Sequence, residues 1–332
     1  MEILKKVPSI DFVGRKKRIP AMVLSAVLLL ASLLSLGVKG LNFGIDFTGG
    51  FLLEVGYPEA VELEDIRQVL RDADYEDFNV TTFGTDREVL IRLPPMAVPD
   101  ADEAGIEDED EVDADAQAQV SDRILSSLRA ADDRVDMRRV EFVGPQVGQE
   151  LVEQGALAVL FALIGILIYV ALRFQYKMAP GAIACLVHDV IIVLGIFSFF
   201  QLQFDLSVLA AILAVIGYSL NDTIVLFDRI RENFPKMRKA DTVSVVNRSI
   251  NQMLSRTIVT SGTTLLVLLC LLQFGGEVIF GFALALTVGV IVGTYSSIYV
   301  AGTTLIINNL TREDLLPPKK DEEETSYVSD SP

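Results

Sequence analysis

The chain has 332 residues, 51% of them hydrophobic, with a mean hydropathy of +0.44 and a formal net charge of −17. Apolar content this high beside 22% charged residues agrees with a membrane protein and requires the charge to be segregated from the apolar runs. The acidic balance argues against nucleic acid as a partner. A single histidine and two cysteines leave little from which to build a metal centre or a disulfide framework.

Residues 1–18 form a basic N-terminus holding Lys5, Lys6, Arg15, Lys16, Lys17 and Arg18. The apolar run at 19–38 that follows is near the roughly 20 residues a spanning helix needs, and SLLSLGVKGLNF offers no convincing small-residue cleavage site. It reads as an uncleaved signal anchor. Further spans are expected at 151–172, 181–202, 206–227, 257–275 and 279–305, giving a polytopic α-helical membrane protein of six transmembrane helices. Lysine and arginine number six before the first span, two after the second (Arg173 and Lys177), seven in 228–256 and three in the tail. The turns QLQFD and QFGGEV have none. Positive charge favours the cytoplasmic side, so both termini are expected inside and the segment 39–150 outside.

That outer segment carries the acidic excess: residues 38–150 hold ten basic and 28 acidic residues, a net of −18, so the rest of the chain is nearly neutral. Its charge reads either as a solvated face or as an acidic recognition surface. Cys185 and Cys270 both fall in expected spans, so no disulfide is expected here. Alternation and β-branched residues predict strands at 51–57, 78–83, 88–94 and 136–144. Helical spacing appears in AVELEDIRQVLRDA and VSDRILSSLRAA. The order β-α-β-β-α-β is that of a small α/β ferredoxin-like domain. Within it, 97–116 is rich in Asp, Glu, Ala and Pro and reads as an acidic mobile loop. NFGIDFTGG (42–50) and FVGPQVG (142–148) flank the domain, where Gly49, Gly50, Gly144 and Pro145 suit either tight turns or hinges. Asp46 reads as a turn cap or a substrate contact.

On the inner side, 228–256 is a basic loop in which Val243, Val246, Ile250 and Leu254 share one helical face, with Asn247, Arg248 and Asn251 elsewhere. That pattern predicts an amphipathic helix at the membrane surface leading into span five. The tail 311–332, with KKDEEETSYVSDSP, has the composition of a disordered segment.

Three ionisable residues interrupt the spans: His188 and Asp189 in span three and Asp222 in span four, with Arg256 at the entrance to span five. An ionised group at membrane depth costs about 2.5 to 3.5 kcal/mol on insertion scales, so intramembrane acids mark ion paths, proton relays or internal partners. Counting from the cytoplasmic ends puts all four in the inner half of the bilayer, at depths that allow them to meet in one cluster. Arg256, Thr260, Thr263 and Thr264 recur at helical spacing on span five. Tyr218, Ser219, Asp222 and Thr223 do so on span four, with Ala211, Ala214 and Gly217 beside them, and Gly289 and Gly293 make a GxxxG pair on span six. These read as interior faces of a bundle. Asp222 is either a protonated interhelical tie or a titrating site. Arg256 alone reads as a snorkelling anchor, and the lone His188 as a satisfied core residue with no metal constellation around it. Protonating Asp222 would remove a buried charge and break any pair with Arg256, letting spans four and five repack. One proton crossing the membrane potential gains about 2.3 kcal/mol per 100 mV, enough for a modest helix rearrangement.

NFGIDFTGG after span one, VEFVGPQVGQEL entering span two, LVHDVIIVLGIFS in span three, VIGYSLNDTIVLFDRIREN in span four and RTIVTSGTTL opening span five resemble the SecF branch of the SecD/SecF family of protein-export membrane proteins, within the resistance-nodulation-division superfamily. The resemblance implies half of a twelve-helix unit completed by SecD in the bacterial inner (cytoplasmic) membrane. It implies work with the SecYEG channel, YajC and YidC. In this picture the proton motive force draws unfolded preproteins out after SecA has pushed them in, without covalent chemistry and without cofactors. It also implies that Asp222 and Arg256 carry protons, with Asn221, Asp189, His188 and Thr260 as secondary candidates, and it favours a functional Arg256. The acidic insertion departs from the family pattern. A different reading is half of a proton-driven small-molecule exporter of the same superfamily, whose outer domains are usually much larger; another is a passive scaffold or insertase.

Overall fold

The computed structural model describes residues 10–73, 75, 78–83, 85–94 and 121–315. Among them six helices are long and apolar enough to cross a membrane: span one Arg15–Lys39, span two Gln146–Arg173, span three Ala179–Phe200, span four Leu206–Lys236, span five Thr242–Phe274 and span six Val278–Ile307. The expected acidic loop at 97–116 and the tail beyond Leu315 lie outside the described residues. Spans four and five run well past their apolar stretches, because charged residues alone do not stop a helix. Neither proline nor glycine stands between Thr242 and Ser261, so the amphipathic segment and span five are one unbroken helix. Its Val245, Val246 and Ile250 are buried in the bundle. Asn247 and Asn251 accept from the backbone N–H groups of Phe12 (2.7 Å) and Ile10 (2.9 Å), strapping the N-terminal segment down.

Between spans one and two lies a four-stranded sheet. Its strands are β2 (Gly50–Gly56), β3 (Asn79–Phe83), β4 (Thr85–Leu93) and β5 (Asp136–Val143), preceded in the chain by the short β1 (Asn42–Phe43). The sheet order is β3-β4-β2-β5 and every pairing is antiparallel. Helices Leu63–Asp72 and 121–131 supply the two α segments of the ferredoxin-like order. Period-two alternation puts Phe51, Leu53 and Val55 on one face of β2 and Val89, Ile91 and Leu93 on the same face of β4. There they meet Ile66, Leu70, Ile124 and Leu128 of the helices, forming a core separate from that of the membrane bundle. The other face of the sheet looks across a cleft of about 240 Å³ at the turn between spans three and four.

In the bundle, spans three, four and six pack around Cys185, Phe197, Val208, Ile216, Phe227 and Ala285. Close approach depends on glycine. A Cβ on Gly289 would enter the side chain of Val215, and one on Gly195 would enter Ser32 of span one. Span two is almost bare, with Leu172 and Phe161 largely exposed. At the base of the sheet domain Gly49 and Gly50 hold φ of 69° and 115°, and a Cβ on Gly50 would strike the Leu93 carbonyl. Gly144, at φ −60°, is an ordinary residue preceding the helix that Pro145 opens.

Candidate functional site

Span three carries His188 and Asp189 into the centre of the bundle, where they are 3% and 1% exposed. Asp189 Oδ2 accepts from the hydroxyls of Ser219 on span four (2.5 Å) and Ser296 on span six (2.8 Å), while Oδ1 lies 2.8 Å from His188 Nδ1. His188 Nε2 is 3.2 Å from Ser25 Oγ of span one, and its ring stacks on Tyr295 at 6.2 Å. Tyr295 in turn donates to the Ala21 carbonyl (2.6 Å). Gly293 leaves the room: a Cβ there would sit 3.2 Å from Ser219 and 3.5 Å from Asp189. Just beyond, span six widens into a π turn at Ser297–Ala301, and the Ser296 carbonyl accepts the Cys185 thiol at 3.4 Å. Such turns release backbone groups from the helix ladder. Three spans thus meet on one saturated carboxylate, and span one joins them through His188.

Asp222 is one turn beyond Ser219 on span four and is 5% exposed, yet its Oδ2 has no hydrogen-bond partner. Thr223 beside it is buried as well. Arg256 acts on Asp222 through space, but among the described residues no ion pair joins them. Arg256 and Asn221 are exposed. The Thr260 hydroxyl turns back to the carbonyls of Arg256 (3.0 Å) and Thr257 (3.1 Å), and Thr263 and Thr264 likewise bond within their own helix.

Two expectations therefore change. The four ionisable residues do not form one hydrogen-bonded cluster: His188 and Asp189 belong to a closed network, while Asp222 and Arg256 stand outside it. The stripe Arg256–Thr260–Thr263–Thr264 is also not an interior face of this chain, since Arg256 and Thr263 are open, as are Ala214 and Gly217 on span four. The buried polar side of span five is a different one, where Ser261 meets Thr294 (2.8 Å) and Tyr218 (3.4 Å). Sequence reasoning missed Ser25, Ser296 and Tyr295. A signal was available for the last two, which directly follow the GxxxG pair in GTYSS.

A second polar constellation sits where the sheet domain meets the bundle. Strand β6 (Gln203–Phe204), in the turn between spans three and four, pairs in parallel with β1. Burial pushes the Arg92 guanidinium of β4 below its ordinary value, and the charges of Asp205 and Asp46 oppose that shift. At the opposite end of the bundle Lys177, with help from Thr311, holds the Asp314 carboxyl down to about 2. Among the described residues no group of His, Cys, Asp and Glu could hold a metal ion.

The family described as protein export membrane protein SecD/SecF, C-terminal, matches residues 123–311, and the SecD/SecF GG motif matches 34–57. The chain belongs to the SecD/SecF family. It is 50% identical to the protein translocase subunit SecF of Pseudomonas aeruginosa over 319 residues, covering 95% of this chain and 96% of that one. It is 46% identical to the SecF of Vibrio alginolyticus, covering 98% of each. The crystal structure of SecDF, a translocon-associated membrane protein from Thermus thermophilus, superposes with a TM-score of 0.74 at 38% identity, covering 92% of this chain. This chain spans only 39% of that SecDF chain. A SecDF structure in a super-membrane-facing form superposes with a TM-score of 0.61, again at 38% identity, covering 90% of this chain and 39% of the other.

Proposed function

We propose that this SecF-type translocase subunit converts proton flow into the late, outward movement of preproteins, with Asp222 as the group that gains and loses the proton and Arg256 as the charge that responds. One observation carries the reading. Asp222 is buried with an unpartnered oxygen, and the nearby arginine lies on a face that no described part of this chain covers. An ionised carboxylate without partners is costly inside a membrane, whereas a neutral acid is tolerated, so loading and unloading a proton there changes which packing is preferred. Asn221 is exposed beside Asp222, and Thr260 stands one turn along from Arg256. His188 and Asp189, already saturated, hold the spans in register.

The open face of spans four and five is where a SecD-type subunit completes the site, in keeping with a SecDF chain of which this one spans 39%. Small residues at Ala214 and Gly217 favour close helix contact there. We take both termini to be cytoplasmic and the sheet domain to lie outside the inner membrane, the orientation that the distribution of lysine and arginine favours. SecYEG, YajC and YidC enter as the further partners that family resemblance implies. No bond is made or broken; the work is conformational. Cells carrying Asp222→Asn test the reading: unprocessed secretory precursors should accumulate while the variant reaches normal levels in the membrane. A normal export rate would remove the relay, and drug sensitivity with unaffected precursors would point to a solute pump.

A further inference from the structure

The segment NFGIDFTGG makes more contacts than a hinge requires. Its Asp46, in the short helix Ile45–Thr48, turns Oδ2 onto the backbone N–H of Leu206 at 2.9 Å. Leu206 is the first residue of span four, whose own N-cap, Asp205, already accepts from Val208 N–H at 2.8 Å. First-turn N–H groups have no partner within their helix, and carboxylates there also meet the positive end of the helix dipole. Span four is thus capped twice, once by its own neighbour and once by a residue 160 positions earlier. Further contacts fix the same joint. Gly44 N–H donates to the Phe204 carbonyl (2.8 Å), Asn42 Nδ2 donates to the Gln201 carbonyl (2.9 Å), and β1 pairs with β6. Phe47 and Phe43 each lie within 5.9 Å of the Phe204 ring. Arg92, on the sheet itself, reaches the Phe43 carbonyl (3.5 Å) and faces both carboxylates.

From Leu206 the helix continues unbroken to Asp222, sixteen residues or about 24 Å along. A continuous helix held at one end transmits displacement to the other. We propose that Asp46 is a positioning residue that fastens the base of the sheet domain to the outer end of span four, making movement of that domain and repacking around Asp222 a single motion. This rests on the proton-coupled reading above, and it gives Gly49 and Gly50 a different role from a free hinge: they bring the chain sharply from the strap into β2.

The test uses the full subunit assembled with its partners in membrane vesicles, with export measured with and without an imposed proton gradient and normalised to assembled complex. Asp46→Ala should reduce export under the gradient to the rate without it, leaving the latter unchanged, while Asp46→Asn, which keeps a carbonyl acceptor, should retain most of the stimulation. Asn42→Cys with Gln203→Cys, in a Cys270→Ser background, places thiols on directly paired strand positions within disulfide reach. Oxidising that pair should restore stimulation to Asp46→Ala, and reduction should abolish it again. Full stimulation in Asp46→Ala, or a loss that the disulfide does not repair, would overturn the proposal. Amide exchange at Leu206 to Val208 reports on the fastening itself and should be about fivefold faster in Asp46→Ala; unchanged exchange would refute the cap. Full stimulation in a parallel Asp222→Asn sample would instead overturn the proton reading, with the exchange result still deciding whether Asp46 fastens the span.

Discussion

Asp189 and Asp222 lie in adjacent spans, both almost wholly buried, and differ in what surrounds them. Asp189 is met by two hydroxyls and an imidazole drawn from three elements. Asp222, a turn away from one of those hydroxyls, keeps an oxygen with no partner. Burial alone therefore says little about what an intramembrane carboxylate does; the supply of donors decides. A saturated acid has one preferred arrangement and ties helices together. An unsatisfied one has a reason to change its protonation or its neighbours.

The contrast breaks first at Asp189. Asp189→Ala should destabilise the bundle by about 3 to 5 kcal/mol, because it leaves His188, Ser219 and Ser296 buried without their common acceptor. Thermal unfolding in detergent, alongside the amount of protein in the membrane, would show it, and Asp189→Asn should recover much of the loss. Asp222→Asn should do the opposite, leaving the unfolding temperature unchanged or raised. Gradient-driven export should fall by up to roughly 50-fold, the equivalent of one charge moving through 100 mV. A variant pair in which Asp222→Asn unfolds and Asp189→Ala merely slows export would reverse the assignment.

Smaller perturbations sharpen the same comparison. Gly289→Ala drives a methyl into Val215 on span four and should cost about 1 to 3 kcal/mol of stability, read by the same unfolding assay. A third carboxylate, Asp314, is partnered like Asp189 but stands outside the spans and is only partly buried. Lys177 depresses its pKa, so the stability it contributes is complete above the ordinary carboxylate value of 3.8 and disappears as pH falls through about 2. Asp314→Asn should therefore be slightly less stable than the parent at neutral pH, the two curves converging at the acid end. Solvent screening makes this the weakest effect of the set.

Much of this architecture is legible in sequence because its signals are local. Twenty-residue apolar runs give the six spans, and alternation in FLLEVGY and EVLIRLP gives β2 and β4. His188, Asp189, Asp222 and Arg256 stand out as charges among or beside apolar residues. The partition of those four into a closed network and an open pair is not local. It depends on Ser25 and Ser296, separated by more than a hundred positions from the histidine and aspartate they meet. The outward direction of Arg256 is hidden for a related reason: helical spacing places Arg256, Thr260 and Thr263 on one face but does not say whether that face packs within this chain. Asp46 is the extreme case, where a residue that looks like a turn cap caps a helix 160 positions later.

The most direct measurement is isotope-edited infrared difference spectroscopy on the assembled complex, with and without an imposed pH gradient. The account predicts a protonated-carboxyl band that responds to the gradient, disappears in Asp222→Asn, persists in Asp189→Asn, and changes frequency in Arg256→Gln. A gradient-sensitive band that survives Asp222→Asn, or the absence of any such band in a complex still stimulated by the gradient, would contradict it.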